Sequence, residues 1–209
     1  MITFGLTGGI ACGKSTVTKT FIKHGIPMVD ADVVAREVVE VGKPAWRLVR
    51  ACFGNDYLNE DESINRIKLG ELVFSNEEQM RHLNFIMGPA INSESDNQIK
   101  AFHDAGHSIV GYDAALICEM GNAGKYRPLI VVQCPRDMQV ERLIKRNGLT
   151  QEQAVARISA QMSVEEKLKL ADFSIDTSGT IENSVKQTEH IISILKWAVD
   201  VTVMPKTYA

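Results

Sequence analysis

A chain of 209 residues suits one domain with an insertion and buries about 70% of the surface its unfolded form exposes, so neither a disulfide nor a metal is needed to hold it. Hydrophobic residues at 44%, charged residues at 23% and a mean hydropathy of −0.07 exclude a disordered chain. A formal charge of −3 gives no general attraction to nucleic acid. The cysteines Cys12, Cys52, Cys118 and Cys134 are scattered without a C-x-x-C spacing, so neither a zinc site nor a disulfide framework is implied, and a reducing cytoplasm is the simplest compartment. The opening "MITFGLTG" has no basic leader, and no apolar run reaches the length of a membrane span, so no membrane association is expected.

The first element is the apolar run "ITFGLTG", read as a strand. It leads into "GLTGGIACGKSTV", in which Gly8, Gly13, Lys14 and Ser15 satisfy G-x-x-x-x-G-K-[ST], and a helical pattern, "STVTKTFIKHG", follows. Strand before and helix after are the context of a phosphate-cradling loop. Chance would produce the pattern in fewer than about 1% of chains of this size. The loop Gly8, Gly9, Ile10, Ala11, Cys12, Gly13 turns backbone amides toward phosphate oxygens, and the helix N-terminus adds its dipole. Lys14 is expected to reach the β and γ phosphates of ATP, Ser15 to hold Mg²⁺, and Thr16 to lie near the α phosphate. Cys12 stands where a helix N-terminus can lower a thiol's pKa, although any small residue would serve there.

"PMVD" is the second strand, ending in Asp30 and running into "ADVVAR" with Asp32 and Arg36. Carboxyl ends of parallel strands face the ligand crevice, and a carboxylate there suits a hydroxyl acceptor whose proton must leave. Asp30 is expected to cap the helix and Asp32 to do the chemistry, with Arg36 on the acceptor side. From about Ala31 to Gly106 the pattern is helical with no convincing strand, too long for a simple crossover, so a helical subdomain is expected. Helix starts are expected at Ser75 with Glu78, Thr150 with Gln153 and Ser163 with Glu166 from their capping-box spacing.

"SIVGYD" is the third strand, with Asp113 at its end as a carboxylate that reaches magnesium through water or caps a turn. "LIVVQCP" and "FSID" complete five strands, all read as buried on both faces. Between them Arg136, Arg142, Lys145, Arg146 and Arg157 cluster on helices around Gly148, the make-up of a basic lid whose guanidinium forks close over phosphates. The five histidines show no ligand spacing. The tail after Trp197 reads as a frayed end or a short added strand.

Alternating strands and helices give an α/β fold, a parallel sheet sandwiched by helices. No N-K-x-D guanine motif is present, which favours a kinase over a GTPase. The order "GLTGGIACGKST", "VDADVVAR", "INRIKLGELVF", "ERLIKRNGLTQEQAVARISAQ", "ADFSIDTSGT" resembles the dephospho-CoA kinase family over nearly the whole chain to about Trp197. The resemblance implies a five-stranded P-loop kinase core (1–35 and 105–209), a helical CoA-binding subdomain (about 55–104) and a helical lid (about 136–166). It implies Mg²⁺- and ATP-dependent phosphorylation of the ribose 3′-hydroxyl of dephospho-CoA. Asp32 would be the base, Asp32, Arg36 and Asp113 would line the acceptor, and Lys14, Arg142 and Arg146 would steady the transferring phosphoryl group. Thr177, Ser178 and Gly179 would lie by the adenine. The chain departs from the family pattern at Gly88, Asn92, Ala115, Cys118 and Thr177, four of the five on the acceptor side. A kinase of another small hydroxylated acceptor, and a non-catalytic nucleotide or CoA sensor, are the rival readings.

Overall fold

The computed structural model describes residues 1–203. In chain order, β1 (Ile2–Gly8) leads through the glycine loop into α1 (Lys14–Lys23), and β2 (Met28–Asp30) into α2 (Ala31–Glu37). Helices α3 (Pro44–Phe53), α4 (Arg66–Ser75) and α5 (Glu77–Asp104) follow before β3 (Ile109–Asp113). Then come β4 (Leu129–Gln133), α6 (Arg136–Asn147), α7 (Gln151–Ser159), α8 (Val164–Leu168), β5 (Phe173–Asp176) and α9 (Ile181–Val203). The five strands form one parallel sheet in the order β2-β3-β1-β4-β5. The three inner strands are largely buried, β4 as the run Leu129 to Val132, β1 through Phe4 and Leu6 and β3 through Ile109 and Val110, since both of their faces are covered. The two edge strands differ from the expectation of full burial: Asp30, Ser174 and Asp176 are exposed, because an edge strand has a neighbour on one side only.

The chain divides into two compact units, residues 1–29 with the chain from Ala101 onward, and Asp30–Lys100. The first holds the sheet. Phe4, Leu6, Ile130, Val132 and Ile175 on the strands pack with Val17 and Phe21 of α1 and Ile191, Ile192 and Leu195 of α9. Each such side chain contributes about 1.5–3 kcal/mol by leaving water. A smaller cluster joins Leu143 of α6 with Ala154 and Ile158 of α7. Gly148, with φ of +65°, ends α6, and Thr150 opens α7 with a full capping box. Ser163 opens α8 in the same way.

The second unit begins at Asp30, the last residue of β2, and is otherwise helical apart from a bridge between Leu58 and Ile64. The Trp46 indole donates to the Glu62 carbonyl at 2.8 Å, and Asn65 caps α4. At the α4–α5 junction the cap is Asn76, whose side chain accepts from the amides of Glu78 and Gln79, rather than the expected Ser75. Ser75 closes α4 instead, its hydroxyl donating to the Glu71 carbonyl. The shorter Asx geometry wins where both residues compete for the same amides. Residues 198–203 continue α9, so no added strand forms there; the tail from Met204 lies outside the described residues. No helix among the described residues is long and apolar enough to cross a membrane.

Candidate active site

The loop between β1 and α1 carries Gly8, Gly9, Ile10, Ala11, Cys12 and Gly13, and the first turn of α1 begins with Lys14, Ser15 and Thr16. Gly13 has φ of +82° and Ala11 of +61°. Glycine adopts this region freely, whereas Ala11 carries a cost of about 1–2 kcal/mol. No side chain caps α1; the Thr16 amide bonds the Gly13 carbonyl at 3.0 Å, and the Lys14 and Ser15 amides, without a hydrogen-bond partner among the described residues, stay open to an anion that the helix dipole also attracts.

The register that sets Leu6 of β1 beside Asp113 of β3 brings the end of β3 next to the loop. The Lys14 ammonium donates to Asp113 Oδ1, and the Thr18 hydroxyl donates to Oδ2 at 2.6 Å. Asp113 is 3% exposed, and charged and neutral donors on its two oxygens are what make that burial tolerable. Ser15 is exposed, and its hydroxyl makes no hydrogen bond among the described residues. No cluster of three or more His, Cys, Asp or Glu among those residues could hold a metal by itself. The Ser15 hydroxyl, with the Asp113 carboxylate bound to the same helix, fits a small hard cation that takes most of its ligands from water and phosphate.

Cys12 and Cys134 are in sulfur-to-sulfur contact at 3.6 Å. The hydrogen bond to Cys134, then burial, pushes the Cys12 thiol up, opposite to the lowering a helix N-terminus could give it. Cys134 moves the other way, to about 7, through its bond with Cys12 and the nearby Arg142 guanidinium.

Thr177, 5% exposed, donates its hydroxyl to the Cys12 carbonyl at 2.7 Å, tying the end of β5 to the loop. Arg142 donates to the Thr177 carbonyl at 2.7 Å and to its hydroxyl at 3.2 Å. Ser178 donates its amide to Asp176, and Gly179 follows. Arg146, one turn beyond Arg142 on α6, is exposed and bonds Asn147 at 2.9 Å. Arg136 reaches Ser159 at 2.9 Å, closing α6 onto α7.

In the helical unit, Asp30 is the N-cap of α2: one of its oxygens accepts from the amides of Asp32 at 2.8 Å and Val33 at 3.3 Å. Asp32 is thereby held in the first helical turn with its own carboxylate exposed. Arg36 is exposed in the last turn. Burial, then the facing Arg36 guanidinium, holds Arg66 below the ordinary arginine value.

Sequence reasoning missed Gln139, Gln161, Lys167 and Arg66. Gln139 shares the buried stripe of α6 with Leu143, and a polar residue in an apolar stripe is the signal that could have found it. Lys167 is fully buried, with its ammonium 2.6 Å from the Ala115 carbonyl and 2.9 Å from Glu119.

A protein-family model described as dephospho-CoA kinase matches residues 2–183. The chain is 43% identical over 198 residues to a dephospho-CoA kinase of Bacillus cereus, covering 95% of this chain and 98% of that one. The solved structure of a dephospho-CoA kinase from Campylobacter jejuni superposes with a TM-score of 0.72 at 27% identity, covering 94% of this chain and 98% of that one. TT1252 from Thermus thermophilus superposes with a TM-score of 0.80, also at 27% identity, over 93% and 97%.

Proposed function

The chain belongs to the dephospho-CoA kinase family, and on that footing we propose how its residues divide the work of phosphoryl transfer. The enzyme phosphorylates the ribose 3′-hydroxyl of dephospho-CoA with ATP, giving coenzyme A and ADP. The transition state for such a transfer is loose, so catalysis rests on positioning and on charge stabilisation. Lys14 and the loop amides hold the β and γ phosphates. Bound magnesium would be held by the Ser15 hydroxyl, with Asp113 reaching it through water, and would neutralise charge on the phosphate oxygens. Arg142 and Arg146, on a lid spanning about residues 136–166, steady the moving phosphoryl group. Thr177, Ser178 and Gly179 flank the adenine.

On the acceptor side Asp32 receives the hydroxyl proton, and Arg36 and Asp113 orient the acceptor. The helical unit receives the rest of the acceptor. Support for this comes from a cleft of about 210 Å³ in that unit, lined by Val39, Leu69, Val73, Leu83 and Met87 together with Arg66. An apolar wall beside a guanidinium suits an extended chain joined to a diphosphate. We place the reaction in the cytoplasm, where thiols stay reduced.

The observation that carries this reading is the pairing of Lys14 with Asp113 at the mouth of an uncapped phosphate loop. The test is incubation with ATP, Mg²⁺ and dephospho-CoA, reading the product by mass spectrometry beside Lys14→Ala. A product heavier by one phosphoryl group at the ribose 3′ position, formed at least about 100-fold more slowly with Lys14→Ala, is expected. ATP binding without any such product would defeat the assignment.

A further inference from the structure

Both peptide groups of Ile10 are held from outside the phosphate loop. Its amide donates to Gln161 Oε1 at 3.0 Å, and its carbonyl accepts from Gln139 Nε2 at 2.8 Å. The partners fix which end of each glutamine faces the loop, since an N–H can only donate and a carbonyl can only accept. Gln139 is 3% exposed and belongs to α6, and Gln161 follows α7. Ile10 and Ala11 also pack on the apolar cluster of Leu143, Ala154 and Ile158 that joins these helices.

A trans peptide points its N–H and C=O in opposite directions, so anchoring one aims the other. The plane between Gly9 and Ile10 gives its N–H to Gln161, which turns the Gly9 carbonyl toward the Cys12 amide, and those two bond at 3.1 Å. In the next plane Gln139 draws the Ile10 carbonyl outward, which turns the Ala11 amide the other way. Among the described residues that amide has no hydrogen-bond partner. Thr177 does the same two planes further on, drawing the Cys12 carbonyl outward and turning the Gly13 amide inward. Access for Gln139 depends on Gly9, where an added Cβ would stand 2.4 Å from Gln139 Nε2.

We propose that Gln139 and Gln161 are positioning residues for phosphoryl transfer: by gripping the Ile10 carbonyl and amide, they aim the Ala11 amide at the triphosphate of ATP. The proposal rests on the reading of this loop as the ATP site. It makes the shape of the loop depend on α6 and on the segment after α7, so a displacement of those helices would disarm the amide.

The two glutamines act with opposite polarity, and that gives the test. Gln139→Glu keeps size but puts an acceptor against the Ile10 carbonyl, whereas Gln161→Glu keeps the acceptor that the Ile10 amide needs. Both add the same charge, so charge alone cannot separate them. With the full-length chain, ATP affinity without acceptor and the KM for each substrate would be measured, and thermal melting would report folding. Gln139→Glu is expected to weaken ATP binding about 10- to 100-fold, the range for losing one hydrogen bond to a charged group. Gln161→Glu should stay within about threefold of the unaltered protein, and the KM for dephospho-CoA should be unchanged in both, within the same bound on one lost bond. Gln161→Met, which removes the acceptor, should weaken ATP binding as Gln139→Glu does, and it carries the test if Gln139→Glu does not fold. Equal losses in both Glu variants, or normal ATP binding in Gln161→Met, would overturn the proposal. Failure of the unaltered protein to bind ATP would instead overturn the reading of the loop, and this proposal with it.

Discussion

Lys14, at the start of α1, donates to Asp113, at the end of β3, across 99 residues of sequence. The pair holds the ammonium at the mouth of the loop and gives the buried carboxylate a charged partner. Lys14→Ala should lower turnover by about two to three orders of magnitude, the scale for removing one preorganised donor to a transition state. Asp113→Asn keeps the shape and loses the charge. In the proposed water-mediated role it should cost about 10- to 100-fold in magnesium-dependent activity, the range for groups that orient a metal's ligands. Steady-state kinetics over a magnesium titration checks both.

Asp30, the N-cap of α2, and Asp32, the proposed base, stand on one helical turn. Asp30 caps α2 through two amides, so Asp30→Ala should lower stability by about 1 kcal/mol, and Asp30→Ser should recover most of it. Asp32→Asn should leave the melting temperature unchanged and reduce kcat about 10²- to 10⁴-fold, the range for a general base, with ATP affinity preserved. Normal turnover in Asp32→Asn would remove Asp32 from the proton transfer.

Lys167 ties α8 to the segment after β3. Its ammonium meets the Ala115 carbonyl and Glu119, and Glu119 also accepts the Met162 amide at 3.0 Å. Lys167→Met would leave the Glu119 carboxylate without its charged partner. Glu119 is exposed, so the charge left behind stays solvated, and denaturant unfolding should show a loss of about 1.5 kcal/mol, the lower end for a hydrogen bond to a charged group. An unchanged midpoint would mean that water repairs the site.

Asp172 links the sheet's edge to the turn before β4. Burial alone would raise its pKa, but hydrogen bonds from Arg127 at 2.7 Å and from the Leu129 amide at 2.6 Å outweigh burial and hold it below the ordinary carboxylate value. A lowered folded pKa contributes stability that is complete above the unfolded value of about 3.9 and is lost as pH falls through the folded one. Asp172→Asn should therefore be less stable than the unaltered protein near neutrality, with the gap closing below about pH 4. Thermal melts across that range measure it, and a gap independent of pH would assign the effect to shape rather than charge.

The phosphate loop, the strands and two of the three expected capping boxes were legible because each is encoded by neighbours in sequence. Glycine at position 13, serine after the lysine, and Thr150 three residues before Gln153 are local facts. The junction at Ser75 was misread for the same reason, since Asn76 competes for the same amides and spacing alone does not rank the two.

The sequence by itself determined the fold class, the family and the glycine loop between β1 and α1, because apolar periodicity and backbone preference act over a few residues. Only the tertiary structure decided that Gln139 and Gln161 grip Ile10, that Cys12 lies against Cys134, and that Lys14 finds Asp113. Those partners are chosen by parallel strand register and by helix packing, which join residues 99 to 151 positions apart and leave no local pattern to read.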